Sequence, residues 1–112
     1  MIDTVILITR YGMGHADEKL QLTLIGKYLE LLTQLPALPS AICFYTEGVK
    51  LVCEGSPVLE PLRRLETLGV QLVICSTCLD YFQLSGKVRV GIVGGMGDIL
   101  EAQANAAKVI TL

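Results

Sequence analysis

The stretch on which the fold turns is Gly69-Val-Gln-Leu-Val-Ile-Cys-Ser-Thr-Cys-Leu-Asp-Tyr-Phe82. Val70–Cys75 has the length of a strand, and its apolar residues run almost without interruption. A continuous run, as opposed to strict alternation, marks a strand covered on both faces, as in a parallel sheet. Gly69 ahead of it suits the position just past a helix end. Thr77 behind it suits the cap of a short helix through Phe82, with Cys78 as the first helical residue. A buried strand between two helices is the repeating unit of an α/β domain.

Working outward, the same apolar pattern predicts strands at Val5–Ile8, Ala41–Tyr45, Val88–Val93 and Val109–Leu112. A helix is expected from Asp17 to Leu35, with Leu20, Leu24, Tyr28, Leu31, Leu32 and Leu35 on one face. Leu22, Ile25 and Leu29 widen that face until little polar surface is left, which predicts a helix packed on two sides. A short helix is expected over Val49–Cys53. Another ends at Leu68; Pro61 lacks an N–H, so its regular part should begin after Ser56-Pro57. The last should run from Asp98 to Ala107, opened by the capping pattern Asp98-x-x-Glu101. The order predicts one domain, residues 1–112, built as a three-layer α/β/α sandwich on a mainly parallel five-stranded sheet.

Composition narrows the function. The net charge of −2 and the lack of any basic block give no footprint for nucleic acid or an anionic membrane. No apolar run approaches the roughly 18 residues of a membrane span, and the start lacks a signal-peptide pattern. A cytoplasmic location is expected. Apolar residues make up 52% of the chain and charged residues only 18%, too few to cover a small monomer comfortably, so a homo-oligomer is expected.

In open α/β sheets chemistry gathers at the carboxyl ends of the strands. Three segments leave such ends: Arg10–His15, Cys75–Cys78 and Gly94–Asp98. All three are expected to meet at one edge of the sheet. The cysteine loop is the most informative. A thiol in the first turn of a helix feels unpaired N–H groups, which predicts a Cys78 pKa below the usual value of about 8.5. Asp80 opposes this if it points inward. Gly12, Met13, Gly14, Gly95, Met96 and Gly97, with Thr77, are the candidate lining of a pocket beside Cys78; the glycines serve equally well as tight turns. Neither glycine loop completes a dinucleotide or P-loop pattern. Zinc fits poorly: there is one Cys-x-x-Cys and one histidine, while Cys43 falls inside a strand and Cys53 in a short helix. No metal or cofactor is expected. A thioredoxin-like site is also disfavoured, because no proline follows Pro61 to oppose the two thiols.

Together these residues resemble a known family. Gly48-Val-Lys-Leu51, Glu54-Gly-Ser56, Val58-Leu-Glu60, Leu62, Leu65-Glu66, Gly69-Val70 and Cys75-Ser-Thr-Cys-Leu-Asp80 are similar to the DsrE/DsrF-like domain. Met13-Gly14, Asp17-Glu18, Met96, Glu101-Ala102 and Ala106-x-Lys108-Val109-Ile110 extend the likeness over nearly the whole chain. The resemblance is greatest to the C-terminal domain of YedF-type proteins, which are sulfurtransferase-like and linked to selenium metabolism. It departs at Ser76, where the family often has glycine.

The resemblance implies an oligomer that carries sulfane sulfur as a cysteine persulfide and passes it between protein thiols. Cys78 matches the cysteine of the family's Thr-Cys-Leu motif, and Cys75 matches one common in the YedF-like branch. Once Cys78 carries sulfane sulfur, Cys75 is expected to resolve it by forming a disulfide and releasing sulfide. YedF-type proteins carry an N-terminal TusA-like domain that this sequence does not contain, so the implied sulfur donor and acceptor proteins, a TusA-like protein among them, would act in trans. The alternative is a non-catalytic oligomeric binding module whose cysteine loop lines a small-ligand or partner pocket.

Overall fold

The computed structural model describes residues 3–112. Five parallel strands form one sheet: β1 (Thr4–Ile8), β2 (Ala41–Phe44), β3 (Gln71–Cys75), β4 (Ile92–Gly94) and β5 (Lys108–Thr111), in the order β4-β3-β2-β1-β5. The helices are α1 (Glu18–Leu32), α2 (Leu59–Thr67), α3 (Ser76–Tyr81) and α4 (Met96–Asn105), with a 3-10 helix over Thr46–Val52. The sandwich expected from the sequence is the one observed.

Strand order decides which face each helix covers. From β1 to β4 the chain steps one way across the sheet, so right-handed crossovers put α1, α2 and α3 on one face. The return from β4 to β5 runs the other way and puts α4 alone on the second face. The first face is closed: Ile6, Ile8, Ile42, Phe44, Leu72 and Ile74 are buried beneath it together with Ile25, Leu29, Leu62 and Leu65 of the helices. The second face is open toward β4, where a cavity of about 600 Å3 lies among Val5, Ala41, Val73, Val93 and Ala102.

Four local departures from the sequence reading have physical causes. The segment at Val88 is not yet strand. Val88 forms an antiparallel bridge with Cys53, and Gly91 (φ +88°) then turns the chain into β4 three residues before the strand's own end. Gly91 lies so close to Ile74 and Leu72 that a Cβ there would overlap both side chains. Asp98 does not open α4 but sits one turn in, accepting a hydrogen bond from the Gly95 N–H at 2.8 Å. The alanines at the far end leave the helix because Ala107 and Lys108 donate to the Asp3 carbonyl and start β5. The leucine-rich helix α1 ends at Leu32 rather than Leu35, because Gln34 and Leu35 donate only three residues back, to the Leu31 and Leu32 carbonyls, and tighten the chain out of the α-helix.

Other expectations hold. Helix α2 begins after Ser56-Pro57, and Pro61 occupies its third position, where no helical N–H bond is needed. Gly69 adopts φ +101° just past its end, and Val70 donates back to the Leu65 carbonyl. Among the described residues no helix is long and apolar enough to cross a membrane.

Cys43 lies fully buried at the centre of β2, and burial pushes its thiol up to about 11. The unfolded thiol ionises near 8.5, so between these values the folded chain holds a proton that the unfolded chain loses. Stability present below that window is therefore lost as pH rises through it. Under reducing conditions, urea unfolding should show stability falling between about pH 8.5 and 11, by up to about 1.4 kcal/mol per pH unit for this group. A Cys43→Ala variant with the full wild-type slope would contradict this.

Candidate functional site

The site begins where β1, β2 and β3 end side by side. The turn after β2 is docked onto the end of β1: the Tyr45 N–H donates to the Ile8 carbonyl at 3.2 Å, and Gly48 donates to Tyr45 at 3.0 Å. Gly48 is required here. A Cβ at that position would stand 2.0 Å from the Ile8 carbonyl oxygen. The tight helix therefore lies directly over the strand end.

Between them Thr46 is held at φ +47°, in the left-handed region that a β-branched residue rarely enters. Its hydroxyl donates to the Thr9 carbonyl and lies 2.7 Å from the carbonyl of Tyr45. Such strain persists only where surrounding bonds over-determine it. Its product is an N–H aimed at sulfur: the Thr46 amide donates to Cys78 Sγ at 3.0 Å.

Cys75 is the last residue of β3 and the cap of α3, so Ser76 and Thr77 are the first helical residues and Cys78 the third. The expected helix start at Cys78 is thus two residues late, and Thr77 is an exposed helical residue with no capping bond. The expected low pKa is also corrected. Burial raises the Cys78 thiol, contact with the Cys75 thiol raises it further, and the Thr46 N–H only partly offsets them. Asp80 is turned away, accepting a hydrogen bond from Ser85 at 2.6 Å. Of the four cysteines, Cys43, Cys53 and Cys75 are buried, and Cys78 alone is half-buried.

The glycine loops stand at the same edge but serve other ends. Gly94 pairs with Cys75 in the sheet register, which puts the Gly95–Gly97 turn on the strand beside the cysteine loop. Gly95 caps α4, while Met96 and Gly97 point their turn to solvent. Gly12 (φ +129°) lies against Gln21, whose carbonyl accepts the Met13 N–H at 3.0 Å. Met13 packs on the core and Gly14 (φ +77°) is exposed. The open pocket that shares Thr46 with Cys78, about 510 Å3, is lined instead by Thr9, Arg10, Tyr11, His15 and Glu47. Arg10 Nη1 lies 3.3 Å from His15 Nδ1 at its rim. Among the described residues no group of three or more His, Cys, Asp or Glu could hold a metal ion.

An all-parallel sheet with one reachable thiol at its carboxyl edge defines an α/β protein built around a cysteine loop. The chain belongs to the DsrE/DsrF-like family, whose model matches residues 3–112, and that family is associated with sulfur relay. Its fold is similar to that of the ychN protein from E. coli, with TM-score 0.72 and 20% identity over 100% of both chains. It is also similar to the protein of unknown function MTH1491 from Methanobacterium thermoautotrophicum, with TM-score 0.69 and 22% identity over 97% of each chain. A third likeness, TM-score 0.69 at 17% identity over 98% of this chain and 95% of the other, is to the conserved protein of unknown function BT1422 from Bacteroides thetaiotaomicron. No curated protein matches the chain significantly.

If Thr46 sets the state of Cys78, freeing its amide must move the thiol. In Thr46→Val the hydroxyl tethers are gone, and the alkylation midpoint of Cys78 should rise by about one pH unit, the worth of one hydrogen bond to a charged group. Thr46→Ser should keep the wild-type midpoint. Equal midpoints in all three proteins would dissociate the amide from the thiol.

Proposed function

We propose that the chain is a cytoplasmic sulfur-relay protein that carries sulfane sulfur as a persulfide on Cys78. The observation that carries this reading is the Thr46 N–H held 3.0 Å from the one half-buried thiol. The Cys78 thiolate attacks the outer sulfur of a donor persulfide. The donor's S–S bond breaks, and the donor leaves as a thiolate. An acceptor thiolate then attacks the same outer sulfur and Cys78 leaves as a thiolate. Cys78 is anionic before the first attack and after the second. A fixed amide donor stabilises charge at those moments without reorganising.

The raised thiol pKa sets the pace. Near neutral pH most Cys78 is protonated, and the small thiolate fraction is a strong nucleophile because its parent acid is weak. Loading should therefore quicken as pH rises above neutrality. Donor and acceptor are separate proteins, a TusA-like protein among them. Arg10, at the pocket beside Thr46, gives an anionic donor a positive group to approach.

The alternative draws support from the same raised pKa: a thiol kept protonated suits a binding module whose pocket beside Thr46 takes a small ligand or partner. Intact mass after incubation with a sulfane-sulfur donor separates the two. The wild type should gain one sulfur at Cys78, while Cys78→Ala should fold normally and gain none there. Uptake that survives in Cys78→Ala, or fails in the wild type with every donor, would reject the carrier role.

The assembly reading rests on apolar surface left bare. Leu20, Leu24 and Leu31 form one outward stripe on α1, with Leu35 just past its end; Leu31 is 64% exposed. Ile92, Val93, Met96 and Leu100 form a second exposed group at β4 and α4. A homo-oligomer would cover both. Light scattering at micromolar concentration should give a multiple of the 12.1 kDa chain, and Leu31→Glu should lower it. A monomeric wild type would reject the oligomer.

A further inference from the structure

The carrier reading leaves one feature unused. Cys75 caps α3 and Cys78 is that helix's third residue, so the two thiols share the helix's first turn, near enough that Cys75 helps to raise the Cys78 thiol. Cap and third residue face each other across the first turn, which is why in a capping box each side chain can reach the other residue's backbone N–H. Here both positions carry sulfur. Their exposure is opposed: Cys75 is 1% exposed, whereas Cys78 is half-buried at the surface. External reactants reach Cys78, and only Cys78 reaches Cys75.

We propose that, resting on the carrier reading, the pair is a releasing dithiol: Cys75 resolves a persulfide on Cys78 and frees hydrosulfide when no acceptor arrives. The Cys75 thiolate attacks Sγ of Cys78. A Cys75–Cys78 disulfide bond forms as the bond from Sγ to the outer sulfur breaks. The electron pair of that broken bond leaves with the outer sulfur as hydrosulfide, and the proton lost from Cys75 passes to solvent. The persulfide is thus the oxidant of the dithiol, and no other oxidant enters. The disulfide is reset by a reducing dithiol, which attacks the reachable sulfur of Cys78, expels Cys75 as a thiolate and then closes its own disulfide.

The arrangement makes Cys78 a branch point. An acceptor thiol in solution must find the outer sulfur, whereas Cys75 is held in the same helix turn as the inner one. Proximity gives the internal attack a high effective concentration. An acceptor already docked against Cys78 competes with that attack and can take the sulfur first.

The test is a single turnover without acceptor, followed by intact mass and by sulfide assay, with sulfide expressed per sulfur loaded so that any change in loading divides out. Wild-type persulfide should decay to a Cys75–Cys78 disulfide with one sulfide per disulfide. In Cys75→Ala the persulfide should last at least about tenfold longer, because the internal nucleophile is gone. Equal lifetimes in the two proteins would overturn the release step while leaving the carrier reading intact. A wild type that never loads would overturn both. A separate arm treats the reduced wild type with a small-molecule disulfide and maps the products. The Cys75–Cys78 bond should form while Cys43 and Cys53 stay thiols. Failure of that bond to form would also overturn the proposal, whatever the loading result.

Discussion

The site depends on one close approach, that of the Gly48 backbone to the carbonyl of Ile8. A side chain of any size at Gly48 would overlap that oxygen and lift the tight helix off the end of β1. Tyr45 would then lose the Ile8 carbonyl, Thr46 would lose Thr9, and the amide facing Cys78 would have nothing to hold it in a strained conformation. The chemistry proposed for Cys78 therefore rests on a glycine that touches no sulfur. The strain is local, and the packing that over-determines it lies in the most deeply buried part of the sheet.

Topology supplies the rest. Three crossovers on one face seal the hydrophobic interior under α1 and α2, so the carboxyl edge of β1, β2 and β3 is rigid where the thiols stand. One crossover on the other face cannot cover a five-stranded sheet. The bare apolar groups at β4 and α4 follow from strand order, not from an accident of composition. The same chain thus has a firm side that bears the site and an uncovered side suited to a partner.

The fold was legible because buried parallel strands announce themselves as unbroken apolar runs, as at Val5–Ile8 and Ala41–Phe44. Val88–Val90 was misread because an apolar segment bridging a loop looks the same as one entering a sheet; only the left-handed Gly91 separates them. The site was half legible. Cys75 and Cys78 stand out by type and spacing. Thr46 does not, because threonine is not a residue that signals a left-handed turn, and its conformation is imposed by bonds to Thr9 far away in sequence. The available signal is Gly48 two residues on, where only a residue without a side chain can approach the Ile8 carbonyl. The direction of the Cys78 pKa is not legible from helix position, because burial, which the sequence does not display, is its largest cause.

The Thr46–Cys78 contact joins residues 32 positions apart, on segments following different strands. It exists only once β2 and β3 are side by side. A nascent or partly unfolded chain has four cysteines in ordinary solvent and no organised amide to greet an incoming sulfur atom. The Thr46–Cys78 bond is in this sense a certificate of completed folding, issued late, after the ribosome has released enough chain for the third strand to find its place. For the carrier proposed above, such timing would entrust cargo only to molecules already able to hold it.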